Sequence, residues 1–114
     1  MTRSIRLAAV AATFAVLAVS SASAASIQPI DCNVDLGTSA ERTICNSQSL
    51  QILDAQITEV YADVMNSRHV ASAAKSRVRE SQYRFLERRN ACGGDRACLD
   101  EVMQRRLSRI HAYI

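Results

Sequence analysis

Apolar positions along this chain follow two regimes: from Leu7 to Val19 they run on without a charge, and from residue 38 onward they recur every three or four residues. The first regime follows Arg3 and Arg6 and leads into Ala22-Ser23-Ala24, the basic, apolar and small-residue order of a secretory signal cleaved after Ala24. Its thirteen residues fall short of the roughly 20 that span a bilayer, and Ser20, Ser21 and Ser23 follow at once. Residues 1–24 are therefore expected to be a removed signal, with no membrane anchor left after cleavage. Residues 25–37 contain the only proline, Pro29, and no sustained period, so they predict an extended N-terminal arm. Helical signals begin at Thr38-Ser39-Ala40-Glu41, a capping box in which hydroxyl and carboxylate each satisfy a free amide of the first turn of a short helix through about Cys45. Asn46 or Ser47 can cap a second helix, whose Leu50, Leu53, Ile57, Val60 or Tyr61, and Val64 form one apolar stripe. After the polar residues 66–72, a third helix is predicted from about Ala73 to Asn90, with Ala74, Val78, Ser81 or Gln82, Phe85 and Leu86 inward. Gly93-Gly94-Asp95 ends it, and a final helix from about Arg96 carries Leu99, Val102 or Met103, Leu107 and Ile110. No strand-like alternation and no repeat occur, so the pattern predicts one all-α domain over residues 38–114, a small bundle built on an antiparallel hairpin of the second and third helices.

Charge changes this picture little. The net charge is +3, but Arg3 and Arg6 leave with the signal, and residues 25–114 hold 12 basic and 11 acidic side chains, or +1. Without a clustered basic footprint, and with two Phe, three Tyr and no Trp, nucleic acid is not an expected partner. The cysteines change it more. Cys32, Cys45, Cys92 and Cys98 lack the short Cys-x-x-Cys spacing of zinc knuckles or of a redox-active pair, so no metal or other cofactor is expected. In an exported chain of this size, where one core is marginal, four cysteines read as structural disulfides. Short loops close at lower entropic cost, which favours Cys32 with Cys45 and Cys92 with Cys98. If the second and third helices fold back on one another, however, all four cysteines gather at one pole, and crosswise pairing such as Cys45 with Cys92 competes. Cys32 follows Pro29-Ile30-Asp31 rather than small apolar residues, so it does not read as a lipid-attachment site. The expected location is periplasmic or secreted.

Glu41-x-x-Ile44-Cys45, Leu50-x-x-Leu53-Asp54, Tyr61, Gln82-x-x-Phe85-Leu86-x-x-Arg89-x-x-Cys92, Cys98 and Arg106-Leu107 occur in that order. Over nearly all of residues 32–110 the chain thereby resembles the small exported domain named after the lysozyme inhibitor LprI. The resemblance implies a helical, disulfide-bonded exported domain, with Glu41, Leu53, Asp54, Tyr61, Gln82, Phe85 and Arg89 as its structural motif and lysozyme binding proposed for some members. The chain departs from the family in having Phe85 where tryptophan is expected, and in lacking a lipid-attachment cysteine.

Charge is unevenly placed along the expected mature chain. Residues 25–66 hold six acids against Arg42 alone, giving −5, whereas residues 67–114 hold eleven bases against five acids, giving +6. One reading is that the acidic half, Glu59 and Asp63 in particular, steers a cationic partner such as lysozyme. The simpler one is that acidic and basic helices neutralise each other within the bundle, with Asp54 and Arg89 as an internal pair. Arg77, Arg84 and Arg88 share one helical face and read as solvated. His69 and His111 have no nucleophile or ligand partner nearby in sequence, and no hydrolase signature or phosphate-binding loop occurs. The sequence thus points to a non-enzymatic exported binding protein, and the resemblance implies lysozyme or another cell-wall hydrolase as the partner, inhibited by occlusion of its cleft. The alternative is an envelope-stress or structural module that binds envelope proteins or peptidoglycan and inhibits nothing.

Overall fold

Local side-chain chemistry sets the helix starts. The computed structural model describes residues 28–113; the expected signal (1–24) and the first residues of the expected arm lie outside the described residues. Helix α1 (Ser39–Cys45) begins at Thr38, whose hydroxyl oxygen accepts from the Glu41 amide at 3.1 Å. The reciprocal half of the capping box differs from expectation, because the Glu41 carboxylate accepts from the Thr38 hydroxyl at 3.0 Å and not from its backbone amide. Helix α2 (Gln48–Asn66) is capped by Ser47 and helix α4 (Arg96–Ile110) by Asp95. Helix α3 (Ser72–Ala91) starts at Ala71 with no side-chain cap, and a 3₁₀ turn, His111–Tyr113, follows α4. The described residues contain no strand, so the chain is all-α as the apolar period implies.

Two apolar clusters hold the helices together. The first joins Ala40 and Ile44 of α1, Leu50 and Ile57 of α2, Phe85 of α3, and Leu99 and Met103 of α4. The second joins Val60, Tyr61 and Val64 of α2 with Val78 of α3 and Ile110 of α4. Early α2 thus meets late α3, and late α2 meets early α3, which is the expected antiparallel hairpin. Its seam is nonetheless filled by α4, which runs in the sense of α2 and packs against it more broadly than α3 does. The reason lies in the faces presented: α3 turns Gln82 and Arg89 inward beside Val78 and Phe85, while α4 supplies Leu99, Met103 and Ile110. Each large apolar side chain buried in this way contributes about 1.5–3 kcal/mol.

Two disulfides flank α1. Cys32 is bonded to Cys45, which ties the arm to the end of α1, and Cys92 is bonded to Cys98, which ties the end of α3 to the first turn of α4. The loop between the latter two passes closely over α1, where a Cβ built at Gly93 or Gly94 would sit 3.5 Å from the Ser39 or Thr43 hydroxyl. Gly93 also has φ +57, the left-handed conformation that glycine adopts without penalty. All four cysteines therefore lie at one end of the bundle around α1. Among the described residues no helix is long and apolar enough to cross a membrane.

Candidate functional site

The arm does not float free of the bundle. Ile30 donates its backbone N–H to Asp54 Oδ2 at 2.8 Å and packs its side chain on the first cluster. Arg42 Nη1 donates to the Leu36 carbonyl at 3.3 Å, and the Cys32–Cys45 bond completes the attachment. Between the arm and helices α1, α2 and α3 this leaves a cleft of about 530 Å³. Ile57, Phe85 and Leu86 give it apolar surface, Asp54, Gln82 and Arg89 give it polar walls, and Asp31, Asp35 and Glu41 bring further carboxylates to its lining.

Burial governs the wall chemistry. Burial pushes the Asp54 carboxyl above its ordinary range; the Ile30 amide and the Arg89 charge pull it back, and Glu41 pushes it up further. Burial likewise lowers Arg89, against the pull of Asp54 and Glu41. The two thus act on one another through space but form no direct ion pair, and Arg89 spends Nε and Nη2 on Asn90 Oδ1, at 3.2 and 3.0 Å. Behind the wall, Arg106 reaches across from α4. Its Nε donates to Gln82 Oε1 at 3.0 Å, its Nη1 to Ser81 Oγ at 2.9 Å, and its guanidinium lies 5.8 Å from the centre of the Phe85 ring.

Five of the seven motif residues, Glu41, Asp54, Gln82, Phe85 and Arg89, therefore line one cleft. Leu53 instead packs half-buried against the first cluster, and Tyr61 is buried in the second, where burial raises its phenol. Glu59 and Asp63 lie elsewhere, exposed along α2 beside a groove of about 320 Å³ shared with Leu107 and His111 of the α4 end. Sequence reasoning did not assign Arg106 an interior place, although Leu99, Met103, Arg106 and Ile110 fall at spacings of four, three and four, which is the period of a buried stripe. Among the described residues no three His, Cys, Asp or Glu gather as a metal site.

The family described as lysozyme inhibitor LprI matches residues 31–111. The chain belongs to the LprI family. No curated protein and no solved structure matches it. The LprI match begins at Asp31 and so takes in both disulfides, the carboxylates and polar walls of the cleft, and the exposed acids of α2. Phe85, which stands where the resemblance leads one to expect tryptophan, is almost fully buried between the cleft and Arg106.

Proposed function

We propose that this protein is an exported, non-enzymatic inhibitor that binds lysozyme or a related cell-wall hydrolase and occludes its cleft. The observation that carries the reading is the LprI match over residues 31–111. Two disulfides and the family together support a periplasmic or secreted location. The placement of charge supports a cationic partner. Among the described residues the direct ion pairs are Arg84 with Glu80 in α3 and Arg105 with Glu101 in α4, and none links α2 to its neighbours. Inside the bundle Asp54 of α2 and Arg89 of α3 attract one another without a direct ion pair, whereas Glu59, Asp63, Arg77, Arg84 and Arg88 all project to solvent. The acidic face of α2 remains free to attract a partner from outside.

A lysozyme assay with the oxidised protein, residues 25–114, tests this directly. Inhibition accompanied by co-elution on gel filtration is expected. Absence of both at micromolar concentrations removes the lysozyme reading and favours a module that binds other envelope proteins or peptidoglycan.

A further inference from the structure

We propose that the cleft beneath the arm is a receptor for one basic residue, arginine or lysine, presented on an extended peptide or loop of a protein partner. The wall is built from side chains that are almost wholly enclosed, with Asp54 8%, Gln82 3% and Arg89 6% exposed. Each has one polar atom beyond those that its hydrogen bonds to the described residues take up, and none of the three is sealed from solvent without a partner. Asp54 uses Oδ2 on Ile30 and leaves Oδ1; Arg89 uses Nε and Nη2 on Asn90 and leaves Nη1. Arg106 holds Gln82 by its Oε1, which fixes the amide's orientation and leaves the Nε2 hydrogens without an acceptor among the described residues. Among the described residues the side-chain atom sealed from solvent without a partner is Arg106 Nη2, behind the wall, so the three wall atoms are not sealed off and can exchange water for an entering group. Two donors and one acceptor match a peptide unit, whose carbonyl accepts from Gln82 and Arg89 and whose N–H donates to Asp54.

The remaining lining specifies the side chain. Asp31, Asp35, Glu41 and Asp54 bring four carboxylates, against Arg89 on the wall and Arg42 on the Leu36 carbonyl, a surplus of two negative charges. A cationic head is drawn to that surplus while its methylene stem lies along Phe85 and Leu86. The volume of about 530 Å³ exceeds what one side chain fills and leaves room for its flanking peptide units. Val34, 57% exposed at the same cleft, offers apolar contact to the flanking chain. An acetamido sugar could also meet the wall donors, but it leaves the carboxylates unused. The assignment holds whether or not the partner is a lysozyme, so its test is separate from the inhibition assay.

The probe is the blocked peptide N-acetyl-Gly-Arg-Gly-amide, titrated into the oxidised protein and followed by amide chemical shifts. Saturable shifts confined to the cleft are expected. Replacing arginine by citrulline, its uncharged isostere, should weaken binding at least tenfold in the unmodified protein, so this comparison does not depend on any variant folding. The double variant Asp35→Asn with Glu41→Gln should bind about tenfold less tightly and with a shallower salt dependence. The side-chain amide oxygen that Glu41→Gln introduces can still accept from Thr38, so the α1 cap survives, and circular dichroism checks the fold. Equal binding of arginine and citrulline peptides, an unchanged double variant, no binding at millimolar peptide, or binding of an N-acetylglucosamine trimer in preference to the peptide each overturns the proposal.

Discussion

Asp54 shows how far a single position can depart from the pattern around it. The stripe read from apolar residues ran through Leu53, which packs half-buried on the first cluster, yet the more deeply buried neighbour is Asp54, in line with Leu50, Ile57, Tyr61 and Val64 at spacings of four, three, four and three. A carboxylate occupies the seam because the arm lies over it and Ile30 supplies a backbone donor, a partner 24 residues away that no helical period encodes. Thr58, one turn on, is buried for a local reason, since its hydroxyl donates to the Asp54 carbonyl at 2.7 Å. The enclosure has a consequence for pH. Burial raises Asp54 above its ordinary value of 3.8, so between that value and the raised one the folded protein holds a proton that the unfolded chain has released. The contribution of this residue to stability therefore grows as pH falls through that interval and is lost as pH rises through it. Asp54→Asn keeps an oxygen for Ile30 and removes the titration. The stability of the wild type relative to this variant should rise as pH is lowered from neutral and level off below about 3.8. Urea unfolding of both proteins across that range measures the difference, and a difference independent of pH contradicts a burial-driven shift.

Among the elements, starts were more legible than partnerships. A cap is a bond between residues two or three apart, so Thr38 and Ser47 could be read directly from the chain, and Asp95 carries the same signal for α4, accepting from the Cys98 amide at 3.1 Å. Which helix fills the seam depends instead on comparing whole faces, and the thin, polar inner face of α3 was visible without showing that α4 would take its place. The cleft divides in the same way. The resemblance grouped Glu41, Asp54, Gln82, Phe85 and Arg89 with Leu53 and Tyr61, which lie outside the cleft, and the cleft itself depends on the arm lying beside α1, α2 and α3, where an arm without a period has no readable path. The one uncapped helix offers a test of the local rule. Ala71 is exposed, with φ −64 and ψ 149, backbone that suits a capping serine. Ala71→Ser should stabilise the protein by about 1 kcal/mol, which thermal melting would register as a rise of several degrees for a domain of this size. An unchanged or lowered melting temperature would show that the first turn of α3 is satisfied in some other way.

Across the whole molecule, covalent and electrostatic asymmetry reinforce one another. Both disulfides sit at the α1 end, where the arm and the cleft are, and replacing Cys32 and Cys45 together by serine should reduce stability by about 3 kcal/mol, the loop-closure value for a separation of 13 residues. The bond joins the arm to the last residue of α1 and involves none of α2, α3 and α4, so the variant should keep its helical circular dichroism in water while its denaturation midpoint falls. A collapse of the helical signal without denaturant would mean that the arm is needed for folding itself. The electrostatic asymmetry bears on the rate at which a partner arrives. Residues 25–66 carry −5 and residues 67–114 carry +6, and although Asp54 and Arg89 attract one another inside the bundle, Glu59 and Asp63 of α2 are exposed and join no direct ion pair to α3 or α4 among the described residues. Such a field acts over about a Debye length, roughly 10 Å at 0.1 M salt, and so changes encounter more than it changes the docked complex. Glu59 and Asp63 are exposed and have no direct ion pair among the described residues, which lets their charge be reversed without breaking a contact. Glu59→Lys with Asp63→Lys should therefore lower the association rate with a cationic lysozyme about tenfold at low salt, with the dissociation rate much less affected and the gap closing as salt is added. Stopped-flow association over a salt series separates the two rates. If the doubly reversed protein binds as fast as the wild type with the same salt dependence, the acidic face of α2 does not steer the partner, and attraction must come from elsewhere on the surface.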